Sequence, residues 1–167
     1  VQMHSDFSQI YEIVSQAIVK SNELWPIFFE HRKEIFQDIK QRFSGNLLFA
    51  DCDSKGLDAA VVGCYPLHPI TTFMLPRISE KVAQNERTLF TFISGQEPAT
   101  LSGVLKNLDS DFPFVTPDAL YDYFAPQMRK EVYTSEIHQL YRLTSSILVK
   151  LAPQSLHAKI VKTIALI

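Results

Sequence analysis

The chain lacks most of the features by which disulfide-rich, zinc-binding and membrane proteins are recognised. It has two cysteines, five glycines and one tryptophan among 167 residues. Cys52 and Cys64 are too few to form a disulfide framework or a zinc site. No apolar run approaches the roughly 20 residues that are needed to span a bilayer. We therefore expect a reduced, cytoplasmic protein with no membrane contact.

Neither sign of charge is in excess. Sixteen Lys and Arg side chains oppose eighteen Asp and Glu side chains, which gives a formal net charge of −2. A domain that binds nucleic acid usually carries a clear excess of basic residues, because it must neutralise phosphates. The composition thus predicts no direct contact with nucleic acid.

Motifs that carry catalysis are also missing. There is no Gly-x-x-x-x-Gly-Lys-Ser/Thr phosphate loop, no Gly-x-Ser-x-Gly turn, no His-Glu-x-x-His pair and no Cys-x-x-Cys. The aspartates at 51, 53 and 58 lack the glutamate that a calcium loop needs, since position 62 is Val. We expect no catalytic residue, no metal site and no cofactor in this chain by itself.

Apolar residues recur at three- and four-residue steps along most of the chain, which predicts an all-α fold. In the first segment this stripe consists of Phe7, Ile10, Tyr11 and Val14. We expect an irregular bundle of about eight helices. The predicted helices cover 5–22, 25–43, 57–62, Pro69 to Val82 with a kink at Pro76, 86–94, 98–108, Pro117 to an interruption at Pro126, 135–151, and 154 onward.

The conformation of residues 47–51 and the domain organisation are predicted from weaker sequence signals. Residues 47–51, Leu-Leu-Phe-Ala-Asp, could form one short strand or one turn of helix, because periodicity does not separate the two. Residues 1–167 are predicted to form a single helical domain. Because Val1 is not an initiator methionine and 160–167 is an apolar run, we expect a fragment of a longer multidomain chain.

The most distinctive stretch runs from Cys64 to Ile93 and contains three prolines. Tyr65 precedes Pro66 and is therefore expected to be extended. Pro69 suits the first residue of a helix, which would place His68 at or near the N-cap. Much of this stretch is thus predicted to serve the architecture of the fold.

Five residues of this stretch are candidates for a binding role: Tyr65, His68, Asn85, Glu86 and Arg87. His68 could point its imidazole into a cleft, or it could cap a helix as a buried, hydrogen-bonded side chain. Arg87 could bind a phosphate, or it could form an internal salt bridge. Asn85 could be a helix cap and Glu86 an acid of the first helical turn.

Three motifs carry a resemblance to a known family: Tyr65-Pro-Leu-His-Pro69, Leu75-Pro76 and Gln84-Asn-Glu-Arg-Thr-Leu-Phe90. They resemble a segment of large bacterial and archaeal AAA-like P-loop ATPases, several of which belong to phage-defence systems of the BREX type. The resemblance covers residues 63–93 well and the remaining residues loosely.

The resemblance implies a helical, lid-like region that closes over nucleotide bound by a P-loop core elsewhere in the same chain. ATP and Mg are then the cofactors of the parent protein. Arg87 is the expected sensor of the terminal phosphate, with Tyr65, His68, Asn85 and Glu86 as supporting residues. Such a lid would sense nucleotide and signal between domains, but it would not hydrolyse ATP alone.

A second hypothesis is a helical protein–protein interaction module with no nucleotide role, which binds other proteins or forms an oligomer. Twelve Phe and six Tyr supply ample apolar surface for it. The placement of Tyr65, His68 and Arg87 separates the two hypotheses. A shared polar, concave surface favours the lid, whereas dispersal into the core or onto a flat face favours the interaction module.

Overall fold

The structure is a computed structural model that describes residues 7–83 and 86–167, and for Phe7, Ala83, Glu86 and Arg87 it describes the backbone. The described residues confirm the predicted all-α fold, since helices joined by turns and loops account for them without a sheet. The α-helices in these residues are numbered in chain order. They are α1 Phe7–Ala17, α2 Leu24–Phe43, α3 Ser54–Asp58, α4 Pro69–Ile78, α5 Glu86–Ser94, α6 Leu101–Leu105, α7 Asp118–Lys130, α8 Glu136–Leu148 and α9 Leu156–Ile164. None of the described helices combines the length and the apolar composition that crossing a bilayer requires.

The ambiguous segment 47–51 contains one turn of 3-10 helix, Leu47–Phe49, and no strand. The side chain of Asn46 accepts a hydrogen bond from the amide of Leu48 at 2.9 Å, and this contact starts the turn. Phe49 is buried, whereas Leu47 is 92% exposed. The local polar cap thus decides the conformation that apolar periodicity left open.

The short helix predicted for 57–62 begins earlier and changes its type. Helix α3 starts at Ser54 because the carboxylate of Asp53 accepts a hydrogen bond from the amide of Gly56 at 2.6 Å. From Ala59 to Gly63 the backbone continues as a π turn, in which the amide of Cys64 donates to the carbonyl of Ala59 at 2.7 Å. Such turns are often found near functional sites.

The interruption predicted at Pro126 is wrong, because α7 continues through it to Lys130. Pro126 is exposed, so water can bind the carbonyl oxygen that loses its helical donor. Pro76 also lies inside its helix, α4, and the π turn Ser79–Ala83 follows directly.

The chain divides into two compact units, Val1–Phe73 and Met74–Ile167, and the boundary falls inside α4. In the first unit, α1 packs on α3 and on the π turn Ala59–Gly63, which buries Tyr11 and Val14. A single domain over the whole chain stays a prediction.

The second unit is built around α7, which packs on both α8 and α9. Leu120, Phe124 and Met128 of α7 and Phe92 of α5 are fully buried. Helix α6 packs on α5 in the same unit.

Candidate functional site

Tyr65 lies in the turn between the π turn of the first unit and α4. Its peptide bond to Pro66 is cis, and its side chain is 7% exposed. The ring lies 5.7 Å from Trp25, 5.3 Å from Phe28 and 5.5 Å from Phe36, measured between ring centroids. Burial raises the pKa of the Tyr65 phenol to about 12. The aromatic ring is therefore part of a packed cluster, and the phenol stays protonated.

His68 caps the start of α4. Its Nδ1 accepts a hydrogen bond from the amide of Ile70 at 3.2 Å, and its carbonyl accepts one from Thr72 at 3.0 Å. The imidazole lies edge-on to Phe43, with 6.0 Å between ring centroids. Burial lowers the pKa of His68 below the ordinary value of 6.5, which favours the neutral ring that can accept the amide. These contacts match the capping alternative that the sequence left open.

The other three candidates belong to the second unit or lie outside the described residues. Glu86 is the first residue of α5 and Arg87 follows in its first turn, as the sequence predicts. The structure describes only the backbone of both, and Asn85 lies outside the described residues. The role of these residues in sensing nucleotide stays a prediction.

A cavity of about 270 Å³ opens beside Tyr65, and we call it the Trp25 cleft. Its lining residues are Ile18, Val19, Lys20, Ser21, Leu24, Trp25, Phe28, Tyr65 and Pro66. The rings of Trp25 and Phe28 are stacked, with 5.7 Å between their centroids. Aromatic rings thus form the floor of the cleft.

The rim of the Trp25 cleft is apolar and open to solvent. Val19, which follows α1, is 93% exposed, and Leu24, the first residue of α2, is 67% exposed. A partner that covers these side chains would be bound more tightly, because each apolar side chain that is fully removed from water contributes about 1.5–3 kcal/mol of favourable free energy. The cleft therefore offers a surface that an apolar partner can cover.

Lys20 supplies the cationic group of the Trp25 cleft. Its Nζ lies 4.9 Å from the centroid of the Trp25 ring and donates a hydrogen bond to the carbonyl of Gly63. Burial lowers the pKa of Lys20. Lys20 thus presents a partly desolvated cation beside an aromatic floor, an arrangement that favours contact with an anion.

Cys64 is buried behind this site, and its thiol donates to the carbonyl of Tyr11 at 3.4 Å. Burial raises the pKa of Cys64 to about 12, so the thiol stays protonated and unreactive. Its contribution is to packing.

Sequence reasoning found Tyr65 but missed Lys20, Trp25 and Val19. The only tryptophan of the chain, followed closely by Phe28 and Phe29, was the available signal, since tryptophan is enriched at interfaces. No pattern could pair it with Tyr65, which lies 40 positions further along the chain. Among the described residues, no group of three or more His, Cys, Asp or Glu side chains is arranged to hold a metal ion.

Comparison of the chain with protein-family models, with curated proteins and with solved structures finds no match in any of the three.

Proposed function

We propose that the chain is a helical protein-interaction module, and that the Trp25 cleft binds an apolar side chain of a protein partner. The observation that carries this proposal is the exposed rim of Val19 and Leu24 around an aromatic floor. Trp and Tyr are enriched among the residues that dominate binding energy at protein interfaces. A partner that covers the rim would bury both apolar side chains and the half-buried face of Trp25.

The chemistry of the cleft also indicates which partner segment it binds. Lys20 is the lining residue with a full charge, so a carboxylate beside the apolar anchor would be favoured. A nucleotide is a poorer match, because its phosphates would meet one partly desolvated ammonium that already donates to Gly63. The expected segment therefore combines a bulky apolar residue with Asp or Glu.

The partner is either a further domain of the parent protein or a separate protein, and we place the interaction in the cytoplasm. Cys52 and Cys64 are both free thiols in the structure, which is consistent with a reducing compartment.

A selection of random, tryptophan-free peptides displayed on phage tests the proposal. The full chain is the bait, and a Val19→Glu variant serves for counter-selection, since a carboxylate on the rim would oppose an acidic, apolar peptide. The matched control is Leu47→Glu, because Leu47 is exposed to the same degree, in the same unit, outside the cleft. We expect enriched peptides that carry an apolar anchor next to an acid, and that bind Val19→Glu at least tenfold more weakly than Leu47→Glu.

Two outcomes would contradict the proposal. One is that no peptide is enriched over a chain unfolded by urea. The other is that the enriched peptides bind Val19→Glu and Leu47→Glu equally, which would place their site elsewhere on the surface.

The nucleotide-sensing lid is the second candidate function. It is supported by the start of α5 at Glu86, which places Arg87 in the first turn of a helix. Tyr65, His68, Asn85 and Glu86 would then support Arg87, and the parent protein would use ATP and Mg. Replacing Arg87 by Ala in the parent protein should lower ATP turnover about tenfold to a hundredfold at unchanged thermal stability, since charge-assisted contacts contribute about 1.5–3 kcal/mol. Unchanged turnover would remove Arg87 from the mechanism.

A further inference from the structure

A second cavity lies wholly within the second unit and is unrelated to the Trp25 cleft. It has a volume of about 370 Å³ and lies between α6, α7 and α9 and the loop before α7. This volume falls in the range of small-molecule sites and corresponds to about a dozen water-sized groups. We call it the Asp118 cavity.

The polar part of its wall includes the carboxylate of Asp118, which can accept further hydrogen bonds. Asp118 is the first residue of α7 and is 9% exposed. The hydroxyl of Thr116 donates to its Oδ1, and no donor among the described residues pairs with its Oδ2. Oδ2 can therefore accept a hydrogen bond from a cationic or hydrogen-bonding group in the cavity.

The opposite charge comes from Lys159 of α9, which also lines the cavity. Within the described parts of the chain, its ammonium forms no ion pair and no hydrogen bond, with Asp118 or with any other side chain. The neighbouring Asp122 is already paired with Lys162 at 2.7 Å. Lys159 is half-buried, and no side chain among the described residues supplies a counter-ion for it.

The remaining wall is mixed: Asn107, Gln154 and Asp122 are polar, and part of it is apolar. Val104, Leu108 and Phe114 line the apolar part, and they come from α6 and from the loop that leads to α7. The cavity thus combines one unpaired cation, one half-satisfied anion and an apolar surface within a space of small-molecule size.

We propose that the Asp118 cavity binds a free α-amino acid with a large apolar side chain. The ammonium of such a zwitterion pairs with Oδ2 of Asp118, its carboxylate pairs with Lys159, and its side chain packs on Phe114, Val104 and Leu108. A molecule with only one of these charges would leave either Asp118 or Lys159 desolvated without a partner, which weakens its binding.

Isothermal titration calorimetry with the full chain tests this inference. L-phenylalanine and L-leucine are the probes, and 3-phenylpropionate and phenethylamine are the analogues that lack the ammonium or the carboxylate. We expect saturable binding of at least one amino acid with a dissociation constant of about 1 mM or below. Both analogues should bind at least tenfold more weakly.

Variants locate the site. Lys159→Met keeps the aliphatic stem and removes the charge, so it should weaken amino-acid binding at least tenfold, and Asp118→Asn should do the same while it keeps an acceptor for Thr116. Lys150→Met is the matched control, because Lys150 is an exposed lysine outside the cavity, and it should leave binding unchanged. If Asp118→Asn fails to fold, the comparison of Lys159→Met with Lys150→Met still shows whether the amino acid binds in the Asp118 cavity.

Three results would overturn the inference. They are the absence of saturable binding of either amino acid up to about 10 mM, equal binding of the one-charge analogues, and unchanged binding to Lys159→Met. The proposed function of the Trp25 cleft would be unaffected by any of them, because the two cavities share no residue.

Discussion

His68 stabilises the first turn of α4 in its neutral form, since only a neutral imidazole nitrogen can accept the amide of Ile70. The sequence predicted this position, because a histidine directly before Pro69 stands where a helix cap belongs. The sequence did not predict the contact with Phe43, which comes from α2, 25 positions earlier. At the scale of a residue, backbone roles can be derived from neighbours in sequence, whereas ring contacts need the fold.

The lowered pKa of His68 makes stability depend on pH. Below the ordinary pKa of 6.5 the unfolded chain binds a proton at this residue that the folded chain resists, so the free energy of unfolding should fall as pH is lowered through 6.5. The contribution of one histidine is at most about 1.4 kcal/mol per pH unit. Urea unfolding at a series of pH values measures it.

His68→Asn should flatten this part of the pH profile, because the amide oxygen of Asn can still accept the hydrogen bond but does not titrate. His31→Asn is the control, since His31 is exposed on α2, and it should keep the wild-type slope. Equal slopes for His68→Asn and wild type between about pH 5 and 7 would show that the neutral cap is not the cause.

The role of Gly103 in α6 can also be tested by a single substitution. A Cβ at this position would lie 2.6 Å from the Cα and from the carbonyl oxygen of Pro98, and backbone atoms cannot easily move away. Gly103→Ala should therefore lower the free energy of unfolding by about 1–3 kcal/mol, although Ala is the better helix former. Ser102→Ala, at the neighbouring position of α6, should change it by less than about 0.5 kcal/mol. A stabilised Gly103→Ala variant in urea unfolding would contradict the close approach.

Helices α8 and α9 begin where polar caps stand in the sequence, and α7 continues through the predicted breaker Pro126, whereas α1 and α8 end before the predicted residues 22 and 151. Ser135 and Ser155 start α8 and α9 as N-caps, and the sequence placed both starts within two residues. The two π turns were not predicted, because an i to i+5 hydrogen bond leaves no periodicity in a sequence. The start of α3 at Ser54 was missed because the cap, Asp53, stands in a run that otherwise resembles a polar loop.

The cap of α9 offers a test at the scale of the element. The hydroxyl of Ser155 accepts a hydrogen bond from the amide of Ala158 at 3.2 Å. Ser155→Ala should lower the free energy of unfolding by about 1 kcal/mol, whereas Ser155→Asp keeps an acceptor and should stay within about 0.5 kcal/mol of wild type. If both variants lose the same amount in thermal or urea unfolding, the cap is not what holds the start of α9.

At the scale of the whole molecule, apolar periodicity predicted the helices but not which of their surfaces remain exposed. Leu140, Thr144 and Ile147 follow one another at three- and four-residue steps along α8, yet Thr144 is buried and the other two are each 40% exposed. A helical face is buried only where another element covers it, and a sequence does not state which elements are adjacent. The Trp25 cleft was not predicted for the same reason, because its lining residues come from the end of α1, the start of α2 and the turn at Tyr65.

The central claim is that this cleft binds a protein segment, and the emission of Trp25 tests it most directly. Trp25 is the only tryptophan of the chain, so fluorescence reports on the cleft alone. Titration with a selected, tryptophan-free peptide should shift the emission to the blue in a saturable way, because the peptide displaces water from the ring. The shift should persist in Leu47→Glu and disappear in Val19→Glu. Peptide binding that calorimetry detects while the emission of Trp25 stays constant would contradict the claim.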